Sequence, residues 1–209
     1  MRRTYHILGW SYVAFCGFVI ARSALAKPVA SHTSVPLPVA SSSADAAEWF
    51  RRAKPYCNAV EITVLQRQVS PPPTLQGAGF HAACLALAGR IDDARRIIDA
   101  VPAADRSRAA GIVFDVGHPV ADAGDDRSAA PIMELVIDYW PSHYMALYHA
   151  AMAEYMLGQR DLARRNLTEF LRLYNVNDGW RSNGMEVLRR LNDSTGVQVE
   201  FKRPREPGS

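Results

Sequence analysis

Residues 144–175 read YMALYHAAMAEYMLGQRDLARRNLTEFLRLYN. Apolar side chains recur at spacings of three and four on both sides of Gly158, which is the signature of two amphipathic helices. Gly158 punctuates them, because glycine takes the left-handed conformation that ends a helix at little steric cost. A small residue, Ala151, precedes the glycine by seven positions. After the glycine come Ala163, then Leu167, then Phe170. Small residues let two helix backbones approach closely where they cross, and the larger ones fill the space between neighbouring hairpins.

The same pattern occurs twice more upstream. Gly89 and Gly124 precede Gly158 at intervals of 35 and 34 residues. The preceding small residues are Ala82 and Gly117, and the following ones Ala94 and Ala129. Ile98 and Met133 come next, then Val101 and Val136. One four-point match could arise by chance, whereas three in phase define a repeat. The clearest second copy is FHAACLALAGRIDDARRIIDAVP at residues 80–102. This pattern resembles the tetratricopeptide repeat, a helix–turn–helix unit of about 34 residues. The resemblance covers residues 75–191 well and 45–191 weakly. It implies an all-α fold: a right-handed α-solenoid of three to four stacked hairpins with a C-terminal capping helix.

Working outward, helical periodicity predicts helices over 45–54, 59–68, 75–88, 91–101, 104–116, 126–139, 143–157, 160–173 and 179–191. Pro71-Pro72-Pro73 breaks the chain between the second and third of these. Helices 45–54 and 59–68 read as a degenerate first hairpin, and 179–191 as the cap. Pro119 is expected to end its helix near Val116, leaving a loop to Gly124. Ser142 and Asp178 stand where N-caps are needed. Strand-like alternation is confined to residues 197–201.

The chain has 209 residues, 48% hydrophobic and 22% charged, which excludes collagen-like, wholly disordered and multi-span membrane classes. Residues 1–26 read as a secretory signal. Arg2 and Arg3 precede an uncharged, mostly apolar run from Ile7 to Ala21, and Ala24-Leu25-Ala26 places small residues at a cleavage site. An uncleaved membrane anchor is the alternative, but the run is shorter than the ~20 residues of a span. Phe15 before Cys16 does not fit a lipoprotein site. Residues 27–43 form a Pro/Ser-rich linker, 44–191 the folded domain, and 192–209 a polar tail. The expected address is therefore periplasmic or secreted.

The net charge of +3 resides in this first segment. It holds Arg2, Arg3 and Arg22 and no acid, leaving 21 basic against 21 acidic side chains. The basic pI thus gives no support to nucleic-acid binding. No membrane span is expected after signal cleavage.

Candidate sites follow from the repeat and from one loop. In the tetratricopeptide family the first helix of each pair lines a concave, peptide-holding groove. The resemblance places Met145, Tyr148, Met152, Tyr155 and Met156 on that face. These side chains suit apolar segments of a protein or peptide partner, with core packing as the alternative. A carboxylate-clamp role is not implied, since Tyr148 and Met152 stand where that subtype uses Lys and Asn. Residues 115–126 gather four aspartates and His118. Asp115, His118 and Asp122 are the candidate metal or acid–base residues there. Their spacing matches neither an EF-hand nor an HExxH pair, and Asp125 and Asp126 suit helix capping. His143 and His149, six apart, fall on different faces of their helix. No nucleophile elbow, phosphate loop or cofactor fingerprint occurs, so neither a cofactor nor an enzymatic activity is expected. Cys57 and Cys84 remain after signal removal, and export allows them to form a disulfide, with two buried thiols as the alternative.

Overall fold

Each predicted helix between residues 46 and 193 has a counterpart in the structure. This computed structural model describes residues 46–68 and 70–193. The export segment, the linker, the 197–201 alternation and the tail lie outside them. The order is α1 (Ala46–Ala53), α2 (Ile62–Gln68), α3 (Leu75–Leu87), α4 (Ile91–Asp99) and α5 (Arg106–Asp122). Then come α6 (Asp126–Tyr139), α7 (Tyr144–Met156), α8 (Arg160–Leu173) and α9 (Gly179–Asp193). Short 3-10 turns span Lys54–Tyr56 and Ala103–Asp105. The described residues are all-helical. Among them no helix is long and apolar enough to cross a membrane.

The three repeat glycines close three identical turns. Gly89, Gly124 and Gly158 have φ of 73°, 75° and 74°. In each turn the residue after the glycine donates back to a carbonyl five positions earlier: Arg90 to Leu85, Asp125 to Val120, Gln159 to Glu154. The glycine itself donates to Ala86, Ala121 or Tyr155. This is the Schellman arrangement, which satisfies carbonyls that a helix end leaves orphaned. Every other position of the repeat is buried. Ala82, Ala94, Ala129, Ala151 and Ala163 are fully enclosed, as are Ile98, Met133 and Leu167.

Packing follows the chain: α3 lies on α4 and α5, α5 on α6, α6 on α7, α7 on α8, and α8 on α9. Helix α1 lies on α3 rather than on α2, so the two do not form the expected first hairpin. There Phe50 stacks on Phe80 with centroids 4.8 Å apart, and the Cys57 and Cys84 sulfurs are bonded at 2.00 Å. Helix α7 is apolar nearly all round and every residue from Ala146 to Tyr155 is buried, as expected of a helix enclosed by neighbours.

Two local expectations need correction. Helix α5 does not end near Val116 but continues to Asp122 with Pro119 inside it. Proline costs the helix one hydrogen bond, yet its fixed φ is compatible with helix. The extra turn buries Gly117 and Ala121. A Cβ on Gly117 would lie 2.5 Å from Cγ2 of Ile132 on α6, so this crossing tolerates only glycine. Helix α7 is capped by His143, not Ser142: the His143 Nδ1 accepts from the Ala146 N–H at 3.2 Å. Asp178 does cap α9, accepting from Arg181 N–H at 3.1 Å.

Arginines occur in pairs on four helices: Arg51-Arg52, Arg95-Arg96, Arg164-Arg165 and Arg189-Arg190. Arg51 and Arg52 both meet Glu48, and Arg189 and Arg190 both meet Glu186. Arg95 and Arg165 reach across to α6, at Asp138 and Glu134.

Candidate functional site

The face of α7 assigned to a partner is largely interior. Tyr148, Met152 and Tyr155 are buried, while Met145 and Met156 are half-buried. Tyr148, Met152 and Tyr155 cluster with Leu167 and Phe170 of α8 and with Val187 and Leu191 of α9. The Trp180 ring meets Tyr148 edge-on, with centroids 4.9 Å apart. The C-terminal helix therefore covers the very side chains expected to meet a partner. Apolar surface left open to water is unfavourable, and α9 removes Tyr148 from it.

The Asp/His segment is rearranged relative to expectation. Helix α5 carries His118 and Asp122 one turn apart, with Nε2 and Oδ1 at 3.4 Å. Asp115 is exposed and does not join them; its charge acts on His143. The residue that does join is His149 of α7, whose ring centroid lies 4.6 Å from that of His118. One ligand atom from each of His118, Asp122 and His149 lies within 4.8 Å of the others. Phe114 stacks on His118 at 5.0 Å and meets His143 at 4.2 Å. Burial holds His149 well below the ordinary histidine range, at about 4, and the neighbouring His118 adds to the effect. Nothing in the spacing of His149 to other residues of its own helix signals this meeting, because it depends on how α7 crosses α5.

A second polar cluster went unnoticed in the sequence. Glu154 of α7 is fully enclosed, and Asn166 of α8 nearly so. The Asn166 amide donates to both Glu154 oxygens, at 3.1 and 3.0 Å, and to Glu134 of α6 at 2.5 Å. Arg165 donates to Glu134 from the rim at 3.0 Å. Burial, then the adjacent Glu134 carboxylate, pushes Glu154 up to about 9. The folded chain thus holds a proton that the unfolded chain releases near pH 4.5. Stability contributed by this proton is full at low pH and falls as pH rises between those limits. Glu154→Gln keeps the shape and cannot ionise. Between about pH 5 and pH 8 it should gain about 1–3 kcal/mol on the parent chain, less than full linkage because Glu154 and Glu134 share the proton as a pair. Urea denaturation at several pH values measures this; parallel pH profiles would show that Glu154 is not the proton holder.

Among the described residues, a mostly apolar concavity is open to solvent. Pro71–Pro73, Leu75, Ala78 and His81 on one side, with Ile97, Val101, Pro102 and Asp105 on the other, line a cleft of about 500 Å³. It forms because Thr74 caps α3, accepting from Gly77 N–H at 3.0 Å, which turns the proline run across the start of the helix. The lining is mostly aliphatic, with Thr74, His81 and Asp105 as its polar points. The chain matches no known family model, no curated protein and no solved structure.

Proposed function

We propose that the chain is an exported, non-catalytic helical-repeat protein of the tetratricopeptide type that holds a protein or peptide partner. The observation that supports this is the threefold turn: a positive-φ glycine followed by a buried alanine and a buried aliphatic, at near-constant spacing. Such hairpins stack into a solenoid that carries surface rather than chemistry. The export address rests on residues 1–26.

The partner surface in this reading is the cleft between Pro71 and Asp105, since α9 occupies the face of α7. A concave, apolar lining with few polar points suits apolar side chains of an extended segment. Ala100 lines it and is exposed, so Ala100→Trp fills the cleft without disturbing the core. Affinity capture from an extract of the source cells should retain one specific protein with the parent chain. Retention should fall at least about tenfold with Ala100→Trp, a loss of about 1.4 kcal/mol. Met185→Asp, on the exposed side of α9, should leave it unchanged. Equal retention by Ala100→Trp, or none above an unrelated bait, would remove the cleft from consideration.

A further inference from the structure

His149 lies in the middle of α7, 1% exposed, and neither of its ring nitrogens has a hydrogen-bond partner. The Nε2 of His118 is likewise enclosed and makes no hydrogen bond, although it faces Oδ1 of Asp122 at 3.4 Å. A neutral imidazole brings one donor and one acceptor, and proteins rarely bury both unsatisfied. One nitrogen from each imidazole lies near the Asp122 carboxylate, so the two helices can share one partner there.

We propose that His118, Asp122 and His149 form a binding site for a divalent transition-metal ion of the zinc class. Positions i and i+4 on α5 place His118 and Asp122 one above the other on the same face. Their ligand atoms are 3.4 Å apart. With bonds of about 2.0–2.1 Å, two ligands on one tetrahedral ion are separated by roughly 3.3 Å. That pair already stands at ligand spacing. A nitrogen of His149 completes the set, within 4.8 Å of the others.

Two imidazoles and one carboxylate select zinc, cobalt or nickel over calcium and magnesium, which prefer oxygen. Three protein ligands leave a fourth position for water or another donor. The site lies in the last turn of α5, where the helix dipole favours a cation. Neighbouring rings hold the ligands in place: Phe114 stacks on His118, and Tyr148 and Trp180 meet His149 edge-on. Asp122 is exposed and gives the ion a way in. Since these residues lie outside the Pro71–Asp105 cleft, the site stands or falls separately from partner binding.

The test is calorimetric titration of the untagged full chain with Zn²⁺, and with Mg²⁺ in parallel. One equivalent of Zn²⁺ should bind, and Mg²⁺ should not compete. His118→Ala and Asp122→Ala are at the surface end of the site and should each weaken Zn²⁺ binding at least about tenfold. Asp115→Asn should leave it unchanged. With Co²⁺, the parent chain should show the intense visible absorption of a tetrahedral ion, lost in His118→Ala. Absence of binding, binding that survives both alanine variants, or Mg²⁺ binding as tight as Zn²⁺ would overturn the proposal.

Discussion

Replacing Phe170 with alanine is expected to destabilise the fold by about 3–5 kcal/mol, the range for deleting a fully buried aromatic. Phe170 is completely enclosed. Its ring lies 5.1 Å from that of Tyr148 and stacks on Tyr174 at 5.2 Å. It also underlies α9: a Cβ on Gly184 would stand only 3.0 Å from the Phe170 ring. Deleting the ring therefore opens a void where three helices meet, and backbone on the α9 side has no side chain with which to fill it. For a folded part of this size, melting should fall by about 10 °C. Hydrogen exchange should show α9 losing protection before α6, because α9 packs directly on α8, the helix that carries the ring. A shift under about 2 °C would mean that α9 does not rest on this ring. The corresponding residue one repeat earlier, Val136, is also fully buried, and its smaller side chain predicts a smaller loss.

The helices and their turns were legible because both depend on local chemistry. A glycine at a helix end, an alanine five residues on and an apolar pair beyond it determine a hairpin almost without reference to the remainder of the chain. What was not legible lies between helices. The sequence marks Tyr148 as a large residue on a helical face, but whether that face meets water depends on where α9 lies. His149 seemed isolated because its partner His118 is 31 positions earlier, on another helix. Glu154, Asn166 and Glu134 met for the same reason, each from a different helix. Pro119 misled in the opposite sense. Local chemistry argues for a break there, and tertiary burial of Gly117 and Ala121 against α6 outweighs it.

Removal of the disulfide, in Cys57→Ala/Cys84→Ala, is expected to cost about 3–4 kcal/mol from loop closure alone. The bond spans 27 positions, and it ties Cys57, just past the Lys54–Tyr56 turn that follows α1, to the second half of α3. Helices α1 and α2 have 8 and 7 residues, too short to persist by themselves in water. Apart from the bond, α1 is held chiefly by Trp49 and Phe50 against His81 and Phe80. Cys84 is fully buried and Cys57 nearly so, so alanine avoids leaving an unsatisfied thiol or hydroxyl in the core. The loss should be unevenly distributed. Residues 46–68 should exchange their amide hydrogens early, while α7 and α8, joined to α1 only through intervening helices, should keep most of their protection. Thermal melting of the parent chain with and without reductant makes the same measurement without mutation, and both should move by about 6–14 °C. If reduction left the melting temperature and the exchange of α1 unchanged, the attachment of α1 would have to come from the Phe50–Phe80 stack. In that case Phe50→Ala, rather than loss of the bond, would release α1 from α3.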